Sequence, residues 1–364
     1  MPASPLSRRQ FFAASSAGGA LGGWSRVPET TPRKVIFDTD PGVDDVLALL
    51  FAMRSPELKI EAITAVAGNV PLELAVANAL RMVEVAGRTD IPVAAGAASP
   101  LERRLVTATS HGSNGLGGVE FPAPKTKPVE EKAADLIHRV ASGSPGEVSI
   151  IAVGPLTNVA TALQRYPSLA KQIREIVLMG GSLSGGNMTP AAEFNFYVDP
   201  EAAGVVFASG VPVTMVGLDV TRKCLLKEEH VRALESGTGA ISEAAARIAR
   251  NDLTRFRQSS PDHLDGRAMH DPLAVATFID RTVVRLREYF VAIETEGELT
   301  AGETVGYSEA PLRRSAPRGD SSTTRELVRG DFVPNASVAV EVNAARFFEL
   351  FIGRLAGRRE PLTT

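Results

Sequence analysis

The chain has 364 residues, 44% of them hydrophobic and 22% charged, which is enough apolar material for a large core and too little charge for a disordered chain. A formal net charge of −3 and a pI near 6.1 argue against a nucleic-acid or membrane-surface partner. The lone cysteine, Cys224, excludes an intramolecular disulfide framework and a multi-cysteine zinc cluster.

The amino terminus reads SRRQFFAASSAGGALGG over residues 7–23. Ser7, Arg8, Arg9, Phe11 and Phe12 stand as in a twin-arginine export signal, and no acidic residue interrupts the small, apolar stretch behind them. That stretch falls short of the roughly 20 residues a membrane-spanning helix needs. Residues 1–32 are therefore expected to be a signal peptide and linker addressed to the twin-arginine translocase, giving a periplasmic or secreted protein. A frayed tail with a chance Arg-Arg pair is the alternative. Residues 33–364 are expected to form a single domain.

From residue 34 short apolar runs alternate with helical patterns. KVIFD (34–38), IEAITAVA (60–67), VSIIAVG (148–154), EIVLMGG (175–181), VPVTMVGLD (211–219) and RLREYFVAIE (285–294) are rich in Val and Ile and read as buried strands. Between them, 44–53, 71–87, 133–142, 156–167 and 199–210 carry apolar positions at helical spacing. This alternation predicts an α/β fold, an open, mostly parallel, Rossmann-like sheet with helices on both faces. Ligands of such sheets bind outside the carboxyl ends of the strands. Gly306 to Pro334 is polar and rich in Pro, Ser and Arg, expected to be a long surface loop before a last strand SVAVEV (337–342) and a helix over 344–355.

The segment KVIFDTDPGVDD (34–45) crowds Asp38, Asp40, Asp44 and Asp45 behind an apolar strand. One carboxylate at a helix start is ordinary capping. Four repel one another unless a cation compensates, and oxygen donors without a His-Cys set suit Ca²⁺ or Mg²⁺. The competing reading is a solvated acidic helix start. Other strand ends add polar groups: Thr157 and its carbonyl after Gly154-Pro155, His270 and Asp271 before Pro272, and Asn187, Glu193 and Asn195 behind a glycine-rich loop. Singly, Asp271 could be a helix cap and Asn195 a turn residue. Together these carboxylates, amides and an imidazole suit a polyhydroxylated ligand held on a metal.

The motifs DTDPGVDD (38–45), AGN (67–69), HGSNGLGG (111–118), VGPLTNVA (153–160), LMGG (178–181), GNMTPAAEFNFYVDPEAA (186–203) and MHDPLAVA (269–276) resemble, in order, those of the inosine-uridine preferring nucleoside hydrolase family. The resemblance runs from about Lys34 to Leu355. It implies that Asp40, Asp45, the Thr157 carbonyl and Asp271 ligate Ca²⁺, with a water and the ribose 2′ and 3′ hydroxyls completing the shell. It implies that Asp40 is also the general base, that Asp44, Asn69 and Asn195 bind the sugar, that Asn187 and Glu193 reach its 5′ end, and that Met179 lies against it. The reaction implied is cleavage of a ribonucleoside's N-glycosidic bond through an oxocarbenium-like state. His270 matches the position of the general acid, its ordinary pKa near 6.5 suiting proton donation, and His111 matches a histidine beside the base. A homodimer or homotetramer is also implied.

Two departures leave base preference open. There is no Tyr or Trp between Val198 and Glu288, where some members use tyrosines or a tryptophan; Phe256, Arg257, Gln258 and His263 are the available groups. Arg222 also stands where a histidine is more usual. Two rival readings exist. A haloacid-dehalogenase-like phosphatase shares Asp-x-Asp but wants Thr or Val where Gly42 stands, and a non-catalytic periplasmic nucleoside-binding protein could keep the fold.

Overall fold

The computed structural model describes residues 31–259, 266–308 and 333–357. The chain divides between residues 31 and 32, and every element below belongs to the second unit. The export-signal residues, and His263, lie outside the described residues.

In chain order the elements are β1 (Arg33–Thr39), α1 (Val43–Met53), β2 (Leu58–Ala65), α2 (Leu72–Val85), β3 (Val93–Ala95), α3 (Ala133–Ser142), β4 (Val148–Ala152), α4 (Thr157–Arg165), β5 (Ile173–Met179), α5 (Phe194–Val198), α6 (Pro200–Ala208), β6 (Val213–Val216) and α7 (Leu218–Thr221). Then come β7 (Leu225–Leu226), α8 (Glu228–Glu235), α9 (Ala240–Ser259), β8 (Arg267–Ala268), α10 (His270–Ile279), β9 (Val284–Ile293), β10 (Thr304–Tyr307), β11 (Ala336–Val342) and α11 (Ala344–Leu355).

Nine strands form one sheet in the order β10-β9-β11-β6-β5-β4-β1-β2-β3. All neighbouring pairs from β11 through β3 are parallel, and β9 runs antiparallel to both β11 and β10. β1 shows why a central strand is apolar throughout. Its successive side chains point to opposite faces, so Val35 and Phe37 enter one core with α1, α9, α10 and α11, while Ile36 enters the other with α3, α4 and α6. The strand order reverses between β1 and β4, and the crevice outside their carboxyl ends is where ligands of such sheets bind.

Three expectations need correction. RLREYFVAIE is a strand, β9, but most of it is half-buried or exposed because it pairs antiparallel near the sheet edge and is covered less completely. VPVTMVGLD contributes only Val213–Val216 to the sheet; after Gly217 the chain turns into α7. The loop expected from Gly306 begins inside β10, and residues 309–332 lie outside the described residues.

Candidate active site

The turn after β1 carries Asp40, Pro41 and Gly42 into α1, whose first turn holds Asp44 and Asp45. Asp45 is fully buried and gathers four donors. Its Oδ1 accepts from the Thr39 hydroxyl at 2.7 Å and the Asp40 N–H at 3.2 Å, its Oδ2 from the Gly42 N–H at 3.0 Å and the Asn69 amide at 2.8 Å. Asp40, equally buried, has Oδ2 on the Asn69 N–H at 2.6 Å, but its Oδ1 is buried with no hydrogen-bond partner among the described residues. Two glycines make room for this carboxylate. A Cβ on Gly68 would stand 2.2 Å from Oδ2, and one on Gly154 would stand 2.6 Å from Oδ1.

Asp271, in the first turn of α10, completes the cluster from a distant part of the chain. Carboxylate oxygens of Asp44, Asp45 and Asp271 lie within 4.8 Å of one another, and Asp40 adjoins Asp45. Burial, and then mutual repulsion among these aspartates, pushes Asp40 and Asp271 well above the usual carboxylate range and raises Asp45. So much buried like charge, one oxygen of it without a donor, calls for a compensating cation, and oxygen donors alone suit a hard divalent ion. The residues present fit one.

The fourth aspartate of the motif does not join them. Strand alternation turns Asp38 to the other face, where its Oδ1 accepts from the Thr64 hydroxyl and from the Asn158 amide at 2.8 Å. Burial lifts its pKa to about 7. Thr157 likewise departs from expectation. Its carbonyl accepts from the Thr161 hydroxyl at 2.7 Å inside α4, its own hydroxyl donates to Asp199 at 2.6 Å, and it does not line the cavity. The residue that lines the cavity just beyond β4 is Val153, whose carbonyl accepts from the Asn195 amide at 2.9 Å. A strand end is fixed by the ladder before it, which makes its carbonyl the better placed of the two.

Above the carboxylates opens a cavity of about 340 Å³. Of the expected residues, Asp44, Asn69, His111, Met179, Asn187, Glu193, Asn195, His270 and Asp271 line it; Asp40 and Asp45 lie behind this wall. Asn195 donates its amide to the carbonyls of Val153 and Met179 at 2.9 and 3.1 Å, which turns its remaining acceptor, Oδ1, away from those strand ends. Glu193 caps α5 and holds the glycine-rich loop, accepting from the N–H groups of Asn195, Phe196 and Gly181 at 2.9 to 3.1 Å. Burial nonetheless raises it to about 7. Asn187 spends its carbonyl oxygen on the Phe194 N–H at 2.9 Å.

Both histidines of the cavity are held through Nδ1. His111 Nδ1 accepts from the Val43 N–H at 3.0 Å, so the proton of the neutral ring sits on Nε2, and the 3.8 Å approach of Nδ1 to Asp44 is not an ion pair. His270 Nδ1 lies 2.8 Å from the Thr221 hydroxyl. Burial drops the His270 pKa to about 4, which makes it neutral at pH 7 rather than poised near 6.5. Sequence reasoning missed Val153, Phe194, Met188 and Arg267, all of which line the cavity. The position of Arg267, three residues ahead of His270 and four ahead of Asp271 in RAMHDP, was the available signal for it.

Comparison with known proteins agrees with this geometry. The family model described as inosine-uridine preferring nucleoside hydrolase matches residues 35–349. A pyrimidine-specific ribonucleoside hydrolase, RihA of Citrobacter koseri, is 39% identical over 323 residues, covering 88% of this chain and 97% of its own. Among solved structures, a plant nucleoside hydrolase superposes with a TM-score of 0.81 at 32% identity, covering 90% of this chain and 99% of its own. A purine-preferring ribonucleoside hydrolase from Gardnerella vaginalis superposes with a TM-score of 0.79 at 33% identity, covering 89% of this chain and 98% of its own. A parallel sheet whose switch point carries this acidic cavity, matched over nearly its whole length, belongs to an N-glycosyl hydrolase: the chain is a member of the inosine-uridine preferring nucleoside hydrolase family.

Proposed function

We propose that this hydrolase cleaves the N-glycosidic bond of ribonucleosides to free base and ribose with the help of Ca²⁺. The observation that carries the proposal is the convergence of the Asp44, Asp45 and Asp271 carboxylates, from two helices far apart in sequence, within 4.8 Å at one end of the cavity. Asp40, Asp45, Asp271 and a carbonyl would hold the ion, and Val153 replaces Thr157 as the source of that carbonyl. Calcium accepts six to eight oxygens in irregular geometry, which suits carboxylates mixed with a main-chain oxygen better than the strict octahedron of Mg²⁺. When bound, the cation would fix the ribose 2′ and 3′ hydroxyls and lower the pKa of a water.

The protein groups do the rest. Asp40 takes a proton from the attacking water, through the Oδ1 that has no protein donor. Asp44 and Asn195 orient the sugar hydroxyls, Met179 supports the ring, and Asn187 and Glu193 border the 5′ end. The negative charge of the cluster favours the positive charge that develops at C1′. His270, neutral at pH 7, offers the departing base a hydrogen bond rather than a stored proton. Export through the twin-arginine translocase, a periplasmic or secreted location, and a homodimer or homotetramer belong to the same proposal, supported by residues 7–12 and by the family resemblance.

The test is to incubate the chain lacking residues 1–32 with purine and pyrimidine ribonucleosides, in calcium and without phosphate, and to follow free ribose. Release establishes hydrolysis. Tight nucleoside binding without release would instead support a non-catalytic binding protein.

A further inference from the structure

A second cavity of about 530 Å³ adjoins the first, and Thr109, Ser110 and Arg267 line both. Its far wall is α9, which supplies Asp252, Arg255 and Phe256. Arg267 is the hinge between the two spaces. Its side chain is 18% exposed, its Nε donates to Asp252 at 3.0 Å, and that carboxylate is itself 4% exposed. The guanidinium also lies over the Phe256 ring, 5.6 Å from its centre. The ion pair and the ring fix the plane of the guanidinium, while its terminal nitrogens have no acceptor among the described residues. Arg255 adds a second positive charge on the same wall, and its Nη1 is buried without a partner among those residues. Among the described residues that line it, with Asp252 counted against the two arginines, positive charge and hydrogen-bond donors are in excess.

We propose that this second cavity receives the leaving base and that Arg267 is the residue that sets base preference. The inference rests on the hydrolysis proposed above. A guanidinium has donors and no acceptor. A base that turns a carbonyl oxygen toward Arg267, as at C4 of uracil or C6 of hypoxanthine, satisfies it. Cytosine and adenine place an amino group there, donor against donor, and leave the terminal N–H groups of the guanidinium without an acceptor. The same contact acts during the reaction. When the bond from C1′ to the base nitrogen breaks, its electron pair passes to the base and spreads onto the carbonyl oxygen, where the fixed positive charge meets it. Water supplies the oxygen that joins C1′, one of its protons goes to Asp40, and the base takes a proton from solvent.

The experiment compares the wild-type chain with Arg267→Gln made together with Asp252→Asn, since removing the arginine alone would strand a buried carboxylate. It measures kcat/KM for uridine and cytidine and for inosine and adenosine in calcium, and the Kd of free uracil and hypoxanthine by equilibrium dialysis. The uridine-to-cytidine and inosine-to-adenosine ratios are expected to fall at least about tenfold, the usual worth of a hydrogen bond to a charged group, and uracil and hypoxanthine to bind correspondingly more weakly. A merely structural role would lower all four substrates together. Ratios that stay level while ribose is still released would overturn the role of Arg267 and leave hydrolysis standing. Base binding that depends on Arg267 in a chain releasing no ribose would keep the base site and remove the hydrolysis.

Discussion

The backbone N–H of Asn69 donates to Asp40 Oδ2 at 2.6 Å, leaving the other oxygen of that carboxylate without a protein donor. The Asn69 side chain meanwhile donates to Asp45 at 2.8 Å. One residue in the turn between β2 and α2 thus pins two carboxylates of the cluster from behind. Asn69→Ala keeps the first bond and loses the second, so calcium affinity should weaken by about 10- to 100-fold, as is usual for groups that orient metal ligands. A competition titration with a calcium dye checks this; unchanged affinity would mean that Gly42 and Thr39 suffice to hold Asp45.

Asp40→Ala should lower kcat by at least about 10²-fold, the usual contribution of a general base, in a protein that remains folded. Circular dichroism and steady-state ribose release measure both halves. Near-normal turnover would remove Asp40 from the chemistry.

Thr157 serves the scaffold. Its hydroxyl is one of the donors that hold the buried Asp199, which caps α6 through the Ala202 N–H at 3.0 Å and binds the Leu101 N–H at 2.9 Å. Thr157→Val should therefore cost about 1–3 kcal/mol of stability and leave calcium affinity unchanged. Denaturant unfolding beside a calcium titration separates the two; weakened calcium binding with unchanged stability would restore Thr157 as a ligand.

The buried carboxyls give stability a definite pH dependence. Asp38 and Glu193 are raised to about 7 by burial, and Asp40, Asp45 and Asp271 are raised by burial and by one another. A carboxyl with a raised folded pKa binds its proton more tightly in the fold. Its contribution is complete below the unfolded value near 4 and is lost as pH climbs through the folded value, on the order of 4 kcal/mol for a group raised to about 7. The metal-free protein should therefore lose stability between about pH 5 and 7. Calcium competes with those protons at the cluster, so its stabilising effect should grow over the same interval. Thermal melts with calcium and with chelator test the sign, and a gap that does not widen with pH would contradict it.

Much of this was legible because the burial is so complete. A central strand covered on both faces must be apolar, as β1 is from Val35 to Phe37, and acidic residues directly behind it stand out. The edge was harder to read: β9 mixes Arg285, Arg287 and Glu288 into a strand that water reaches, and β3 is three residues long. Which residue beyond β4 lines the cavity could not follow from residue types; it depends on where β4 stops and α4 starts, and that choice separates Val153 from Thr157. Asp38 shows the same limit. Only the alternation of the strand sends it to Asn158 rather than to the cluster. Arg267 was hidden for a different reason, because its partners Asp252 and Phe256 come from α9 and meet it only in the fold.

The most direct test strips the purified chain of metal with a chelator, removes the chelator, and follows ribose release from a ribonucleoside the untreated enzyme cleaves, before and after calcium is returned. Turnover should vanish on stripping and return with calcium in a stoichiometry of about one ion per chain, as a single carboxylate cluster requires. Undiminished turnover in the stripped protein would contradict a cation held by Asp40, Asp45 and Asp271.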